Sequence, residues 1–187
     1  MIWNEILCLG DSITYGARDS YKRSYPAELG KILSDKLGEF YLCHNCGISG
    51  ETSSDLLRRS WSNIKSHSNA KIMLLIIGTN DTQIGVPPDV YEDNLRQIIL
   101  SAKVHGMSVI VGTLPTLGFT PLYISNTNLI DKYNDVIKKL SKTLHFDICD
   151  LSGVEDYYID GVHFTHDGNL ELANRFFNSI LDIRTGK

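Results

Sequence analysis

The sequence predicts an α/β fold, a three-layer sandwich in which a parallel sheet lies between two layers of helices. Three observations lead there. Short apolar runs alternate with segments of helical periodicity along the chain, which is the pattern of strands joined by helical crossovers. One run, Ile72-Met73-Leu74-Leu75-Ile76-Ile77, is apolar on both faces, as a central strand covered by helices on each side must be. Small and polar residues collect just after the runs, at the strand ends where open α/β sheets hold ligands. With 187 residues and 42% hydrophobic content the chain suffices for one domain with a full core, and two would be cramped.

The elements follow in order. Ile6 to Leu9 is a short apolar strand that stops at Gly10 and turns through Asp11 and Ser12. Ser24 to Leu37 is a helix, with Leu29, Ile32, Leu33 and Leu37 at helical spacing and Gly38 as its stop. Phe40 to Cys46 is the second strand and Ile72 to Ile77 the third. Val90 to His105 is a helix with Leu95, Ile98, Ile99 and Ala102 inward, ended by Gly106, and Met107 to Val111 is the fourth strand. Gly112 to Ser125 then reads as a long loop punctuated by proline and glycine, with Leu114, Leu117, Phe119 and Tyr123 expected to be exposed and to shape a substrate site. The helix after it carries one stripe of Leu129, Ile130, Tyr133, Val136, Ile137, Leu140 and Leu144. Phe146 to Leu151 is the fifth strand, and His166 to Ile183 a closing helix with Leu170, Ala173, Phe176, Phe177 and Ile180 inward. No internal repeat or linker divides the chain.

Charge and composition narrow the function classes. A formal net charge of −4 with no basic run gives no footprint for nucleic acid or an anionic membrane, so a small-molecule or uncharged substrate is expected. The first residues lack a basic segment followed by an apolar one, and no apolar run approaches the ~20 residues of a membrane span, so a cytoplasmic location is expected. Cys43 and Cys46 have C-x-x-C spacing, but no second pair or paired histidine accompanies them. Cys8, Cys43, Cys46 and Cys149 therefore read as buried reduced thiols rather than a metal site.

The strand ends carry Asp11 and Ser12, then Asn45, Gly47, Ser49 and Gly50, then Gly78, Thr79, Asn80 and Asp81, and beyond the fifth strand Asp160 and His163. Each has an ordinary explanation. Gly-Asp-Ser suits any tight turn. Asn80 and Asp81 are favoured helix caps. Asp160 to His163 suits a surface loop, and His166 is a rival base nearby. Their combination is what points to chemistry. A serine hydroxyl needs a base, a group that orients the base, and donors for an oxyanion. The spacing of Asp160 and His163 lets the carboxylate meet one ring nitrogen and leaves the other for a serine. Ser12 N–H, Gly50 N–H and the Asn80 side-chain amide supply three donors.

On these residues the chain resembles the SGNH, or GDSL-like, hydrolases, a family of esterases and acylhydrolases. Four blocks occur in the family's order: Gly-Asp-Ser-Ile-Thr at Gly10 to Thr14, Gly-Ile-Ser-Gly-Glu-Thr at Gly47 to Thr52, Gly-Thr-Asn-Asp at Gly78 to Asp81, and Asp-Gly-Val-His at Asp160 to His163. The resemblance implies Ser12 as nucleophile, His163 as base, Asp160 as its orienter, and Ser12, Gly50 and Asn80 as the oxyanion hole. It also implies a flavodoxin-like, five-stranded parallel sheet, an ester substrate, and neither metal nor cofactor. Ile13 stands where the family's name has leucine, and Phe164 follows the histidine where many members have proline. The G-x-S-x-G elbow of the α/β-hydrolases is absent around Ser12. A competing reading from another class is a catalytically silent module that holds an anion on helix N-terminal amides after the first strand. It leaves Asp160 and His163 without a task and sets Asp11 where it would repel a phosphate.

Overall fold

The computed structural model describes residues 4–118 and 127–185. Five parallel strands form one sheet: β1 (Asn4–Gly10), β2 (Tyr41–Gly47), β3 (Ile72–Ile76), β4 (Ser108–Gly112) and β5 (Asp147–Cys149), in the order β2-β1-β3-β4-β5. Among the described residues the α-helices are α1 (Ser12–Tyr15), α2 (Tyr25–Leu37), α3 (Ser53–Ser66), α4 (Thr79–Ile84), α5 (Pro88–Val104), α6 (Thr127–Leu144) and α7 (His166–Thr185). Helices α2 and α7 pack together, as do α3 with α5 and α5 with α6, and this pairing gives the two outer layers. The expected three-layer sandwich is what forms.

The central strand behaves as its sequence requires. Met73, Leu74, Leu75 and Ile76 of β3 are fully buried, flanked by β1 on one side and β4 on the other. From β1 the chain moves outward to β2 and then crosses back to β3, so the order reverses between β1 and β3. That reversal opens a crevice at the C-terminal ends of these strands, where ligands of such sheets lie. Gly10 pairs with Gly47 on one side and with Ile76 on the other, so the first three strands end level with one another.

Two elements differ from expectation. Helix α3 was not anticipated from the pattern, because only Leu56 and Ile64 supply large buried apolar side chains on it, with Ser53 and Ser60 filling the rest of the inward face. Its start is a capping box, in which Thr52 accepts from Asp55 N while the Asp55 carboxylate accepts from Thr52 N. The loop after β4 also differs. Leu114 and Leu117 are buried, at 2% and 7% exposure, where exposed side chains were expected. Asn134 on α6 explains the turn inward, since its side chain accepts from Leu114 N and donates to Leu114 O, both at 2.8 Å. Phe119 and Tyr123 lie outside the described residues.

All four cysteines are free. Cys8 and Cys149 are buried, whereas Cys43 and Cys46 are only half-buried. Among the described residues no group of three or more His, Cys, Asp or Glu side chains could hold a metal ion, and no helix is long and apolar enough to cross a membrane.

Candidate active site

The end of β1 is where the site begins. Asp11 caps α1, its Oδ1 accepting from Ile13 N at 2.9 Å, and this sharp turn presents Ser12 as the first helical residue. The turn is packed against β2 so closely that a Cβ on Gly47 would stand 2.3 Å from Tyr15 N, which only glycine avoids. The Asp11 carboxylate thus sits at the start of this four-residue helix and takes up the Ile13 amide.

Ser12 Oγ lies 2.9 Å from His163 Nε2, and His163 Nδ1 lies 2.8 Å from Asp160 Oδ2. Sequence places Ser12 and His163 151 residues apart, and the fold brings them into contact. Both are 6% exposed. The loop that holds the histidine is internally braced. Asp160 Oδ1 accepts from His163 N at 2.8 Å and from Val162 N at 3.2 Å, Ile159 N donates to His163 O, and Tyr158 pairs with Phe164. Phe164 therefore serves as a bridge-pairing and ring-packing residue, its ring 4.9 Å from that of Tyr158.

The carboxylate is kept charged. Burial pushes the Asp160 carboxyl up, but the hydrogen bonds from His163 and Val162 and the charge of His163 outweigh it and hold it below the usual carboxylate range. An ionised Asp160 accepts only, so His163 Nδ1 must donate. In the neutral ring Nε2 is then the acceptor, facing the Ser12 hydroxyl. This row can take a proton from the serine and return it to a leaving group. His166, the rival base, faces elsewhere: its Nδ1 is 3.6 Å from Asp19 Oδ2 and its ring packs 4.9 Å from that of Tyr21.

Gly50 and Asn80 come from the ends of the neighbouring strands. Gly50 sits at φ +85°, a backbone conformation that favours glycine, and a Cβ there would meet nothing within 4 Å. Neither Ser12 N–H nor Gly50 N–H donates a hydrogen bond to another described residue. Asn80 is not a cap. The N-cap of α4 is Gly78, and the Asn80 amide instead donates to Glu51 O at 2.8 Å, which joins the third strand end to the second.

Asp81, a strand-end residue of the third block, and others that the sequence did not single out support this arrangement. Asp81, fully buried, accepts from Ser53 N at 2.8 Å and from Ser53 Oγ, and Asn94 Nδ2 donates to Ser53 Oγ and Ser54 Oγ at 2.9 Å each. Arg59 of α3 grips the Glu51 carboxylate and reaches Gly10 O. Burial raises Asp81 above its ordinary value despite the Ser53 hydrogen bonds. Asp11 is raised to about 7, chiefly by burial and secondarily by the charges of Asp81 and Glu51, against the hydrogen bond from Ile13 N. Its Oδ2 has no hydrogen-bond partner among the described residues. The Thr52-x-x-Asp55 capping pair could have signalled α3 in the sequence, whereas nothing local marks Arg59.

Comparison with known proteins finds similar esterases and acylhydrolases. An arylesterase from Vibrio mimicus is 31% identical over 107 residues, covering 57% of this chain and 52% of the relative. A thioesterase 1/protease 1/lysophospholipase L1 from Escherichia coli K12 is 36% identical over 98 residues, covering 52% of this chain and 45% of the relative. The chain thus spans about half the length of the curated relatives it matches. Among solved structures, an acetylxylan esterase from Geobacillus stearothermophilus superposes with a TM-score of 0.80 at 23% identity, covering 95% of this chain and 94% of that one, which speaks to the fold alone. The sequence profile of the GDSL-like Lipase/Acylhydrolase family matches residues 8–170, a span that contains all four blocks as well as the serine, histidine and aspartate brought together in space, and by that match the chain belongs to this family.

Proposed function

We propose that this chain is a serine ester hydrolase that cleaves short acyl or acetyl esters through an acyl-enzyme intermediate. The observation that carries the reading is the hydrogen-bonded row from Ser12 Oγ to His163 Nε2 and from His163 Nδ1 to Asp160 Oδ2, at 2.9 Å and 2.8 Å. His163 takes the proton of Ser12 as the oxygen attacks the ester carbonyl, and Asp160 holds the ring tautomer and stabilises the imidazolium that forms. The carbonyl oxygen becomes an oxyanion, bound by the N–H groups of Ser12 and Gly50 and the amide of Asn80. Collapse expels the alcohol, which receives its proton from His163. Water then attacks the acyl-serine by the same route, and the acid leaves.

Family membership supports ester chemistry, and the relatives' names span aryl ester, thioester, lysophospholipid and acetylxylan. The test is a panel of aryl and sugar esters of increasing acyl length. Wild-type protein is expected to turn over the short members, and Ser12→Ala to lose that turnover while keeping its thermal transition. Appreciable hydrolysis by the alanine variant would overturn the assignment of the nucleophile.

A further inference from the structure

The three donors of the oxyanion site come from three strand ends, and one side chain links the supports of all three. Arg59 lies in the second turn of α3. Its Nε donates to Glu51 Oε1 at 2.8 Å and to Oε2 at 2.9 Å, its Nη2 donates to Oε2 at 2.5 Å, and Nη2 also lies 3.3 Å from Gly10 O. Gly10 immediately precedes the Asp11–Ser12 turn, and its carbonyl also accepts from Ile48 N at 3.1 Å. Glu51 immediately follows Gly50, and its main-chain oxygen accepts the Asn80 amide at 2.8 Å. The guanidinium thus braces the residue before the nucleophile turn on one side. On the other it braces the residue that anchors both Gly50 and Asn80.

The pair is also shielded, with side-chain exposures of 19% for Arg59 and 14% for Glu51. A charge-assisted contact of this kind, with the guanidinium fixed against both carboxylate oxygens, sets geometry more strictly than a lysine would. It neutralises a carboxylate whose charge reaches the site: Glu51 is one of the groups that raise Asp11, beside Ser12.

We infer that Arg59 is a positioning residue for the oxyanion site, holding Gly10 and Glu51 so that the donors of Ser12, Gly50 and Asn80 converge, and cancelling a Glu51 charge that would oppose the oxyanion. The inference rests on the ester-hydrolase reading and names two residues, Arg59 and Glu51, that this reading does not need. It predicts effects on kcat rather than KM, because the oxyanion charge develops only in the transition state.

The experiment compares wild type, Arg59→Met, Arg59→Lys, Glu51→Gln and the double variant Arg59→Met/Glu51→Gln on a short-chain aryl ester. Rates are taken per active site titrated with a fluorophosphonate, so that unfolded protein does not count. Arg59→Met is expected to lower kcat by about 10- to 100-fold, the scale of loss when a reacting geometry slips by about 1 Å, with KM within about twofold. Arg59→Lys should recover part of the loss by restoring the charge. The double variant should turn over faster than Arg59→Met, because the unpaired carboxylate is gone. Two results would overturn the inference: kcat for Arg59→Met equal to wild type, or a double variant no faster than Arg59→Met. Wild-type protein that neither hydrolyses the ester nor takes the probe would overturn the ester-hydrolase reading and this inference with it, whereas an active wild type with an unimpaired Arg59→Met overturns the inference alone.

Discussion

Asn80 uses one hydrogen of its amide on the Glu51 carbonyl, 2.8 Å away, and that contact fixes the side chain with its second N–H still to be used. If the second N–H binds the oxyanion, Asn80→Ala should lower kcat by roughly 10²- to 10³-fold with little change in KM. Asn80→Asp should be worse, because a carboxylate would face both the Glu51 carbonyl and the developing negative oxygen. A capping residue would behave in the opposite way, tolerating Asp well. Kinetics on the two variants decide it: a stable Asn80→Asp enzyme with normal kcat would remove Asn80 from the site. In the sequence both roles of Asn80 had to be weighed, since the side-chain oxygen of Asn caps helices and its NH2 donates to oxyanions. The position of Gly78 as the N-cap and the bond to Glu51 O argue against the capping role.

At the scale of the element, the short helix α1 carries an unusual cap. Asp11 is completely buried, one carboxyl oxygen accepts from Ile13 N, and the other has no partner among the described residues. Burial first, and then Asp81 and Glu51, raise it from 3.8 to about 7. A group whose pKa is raised on folding stabilises the fold most when both states are protonated, below its unfolded value. That contribution declines as pH rises toward the folded value and is lost above it. Relative to Asp11→Asn, wild-type protein should therefore lose thermal stability between about pH 4 and pH 7 and run parallel above that. Melting curves of both proteins across this range provide the check, and parallel profiles throughout would contradict the assignment. Other elements show what the pattern could and could not carry. The strands and helices α2, α5, α6 and α7 were legible because their apolar residues repeat at one clear period. Helix α3 escaped because serines fill half of its buried positions, and Leu114 was misjudged because the Asn134 side chain that turns it inward lies 20 residues away.

At the scale of the whole molecule, the sheet order determines which residues can meet. The reversal between β1 and β3 sets the Ser12 turn between the ends of β2 and β3, and the chain after β5 returns His163 to the same rim. The four blocks were readable because their chemistry is concentrated in a few residues at strand ends. The partnership of Arg59 with Glu51 was not, although Glu51 lies in the second block, because it spans eight residues and matters only through the carbonyls it braces. The central claim is that Ser12 is the one activated hydroxyl of this fold, with His163 as its base. Mass spectrometry of protein treated with a fluorophosphonate tests this most directly. The account predicts a single adduct, mapped to Ser12, that is absent in Ser12→Ala, formed far more slowly in His163→Ala and formed at the wild-type rate in His166→Ala. An adduct on Ser49, or ester hydrolysis that persists with Ser12 unlabelled, would contradict it.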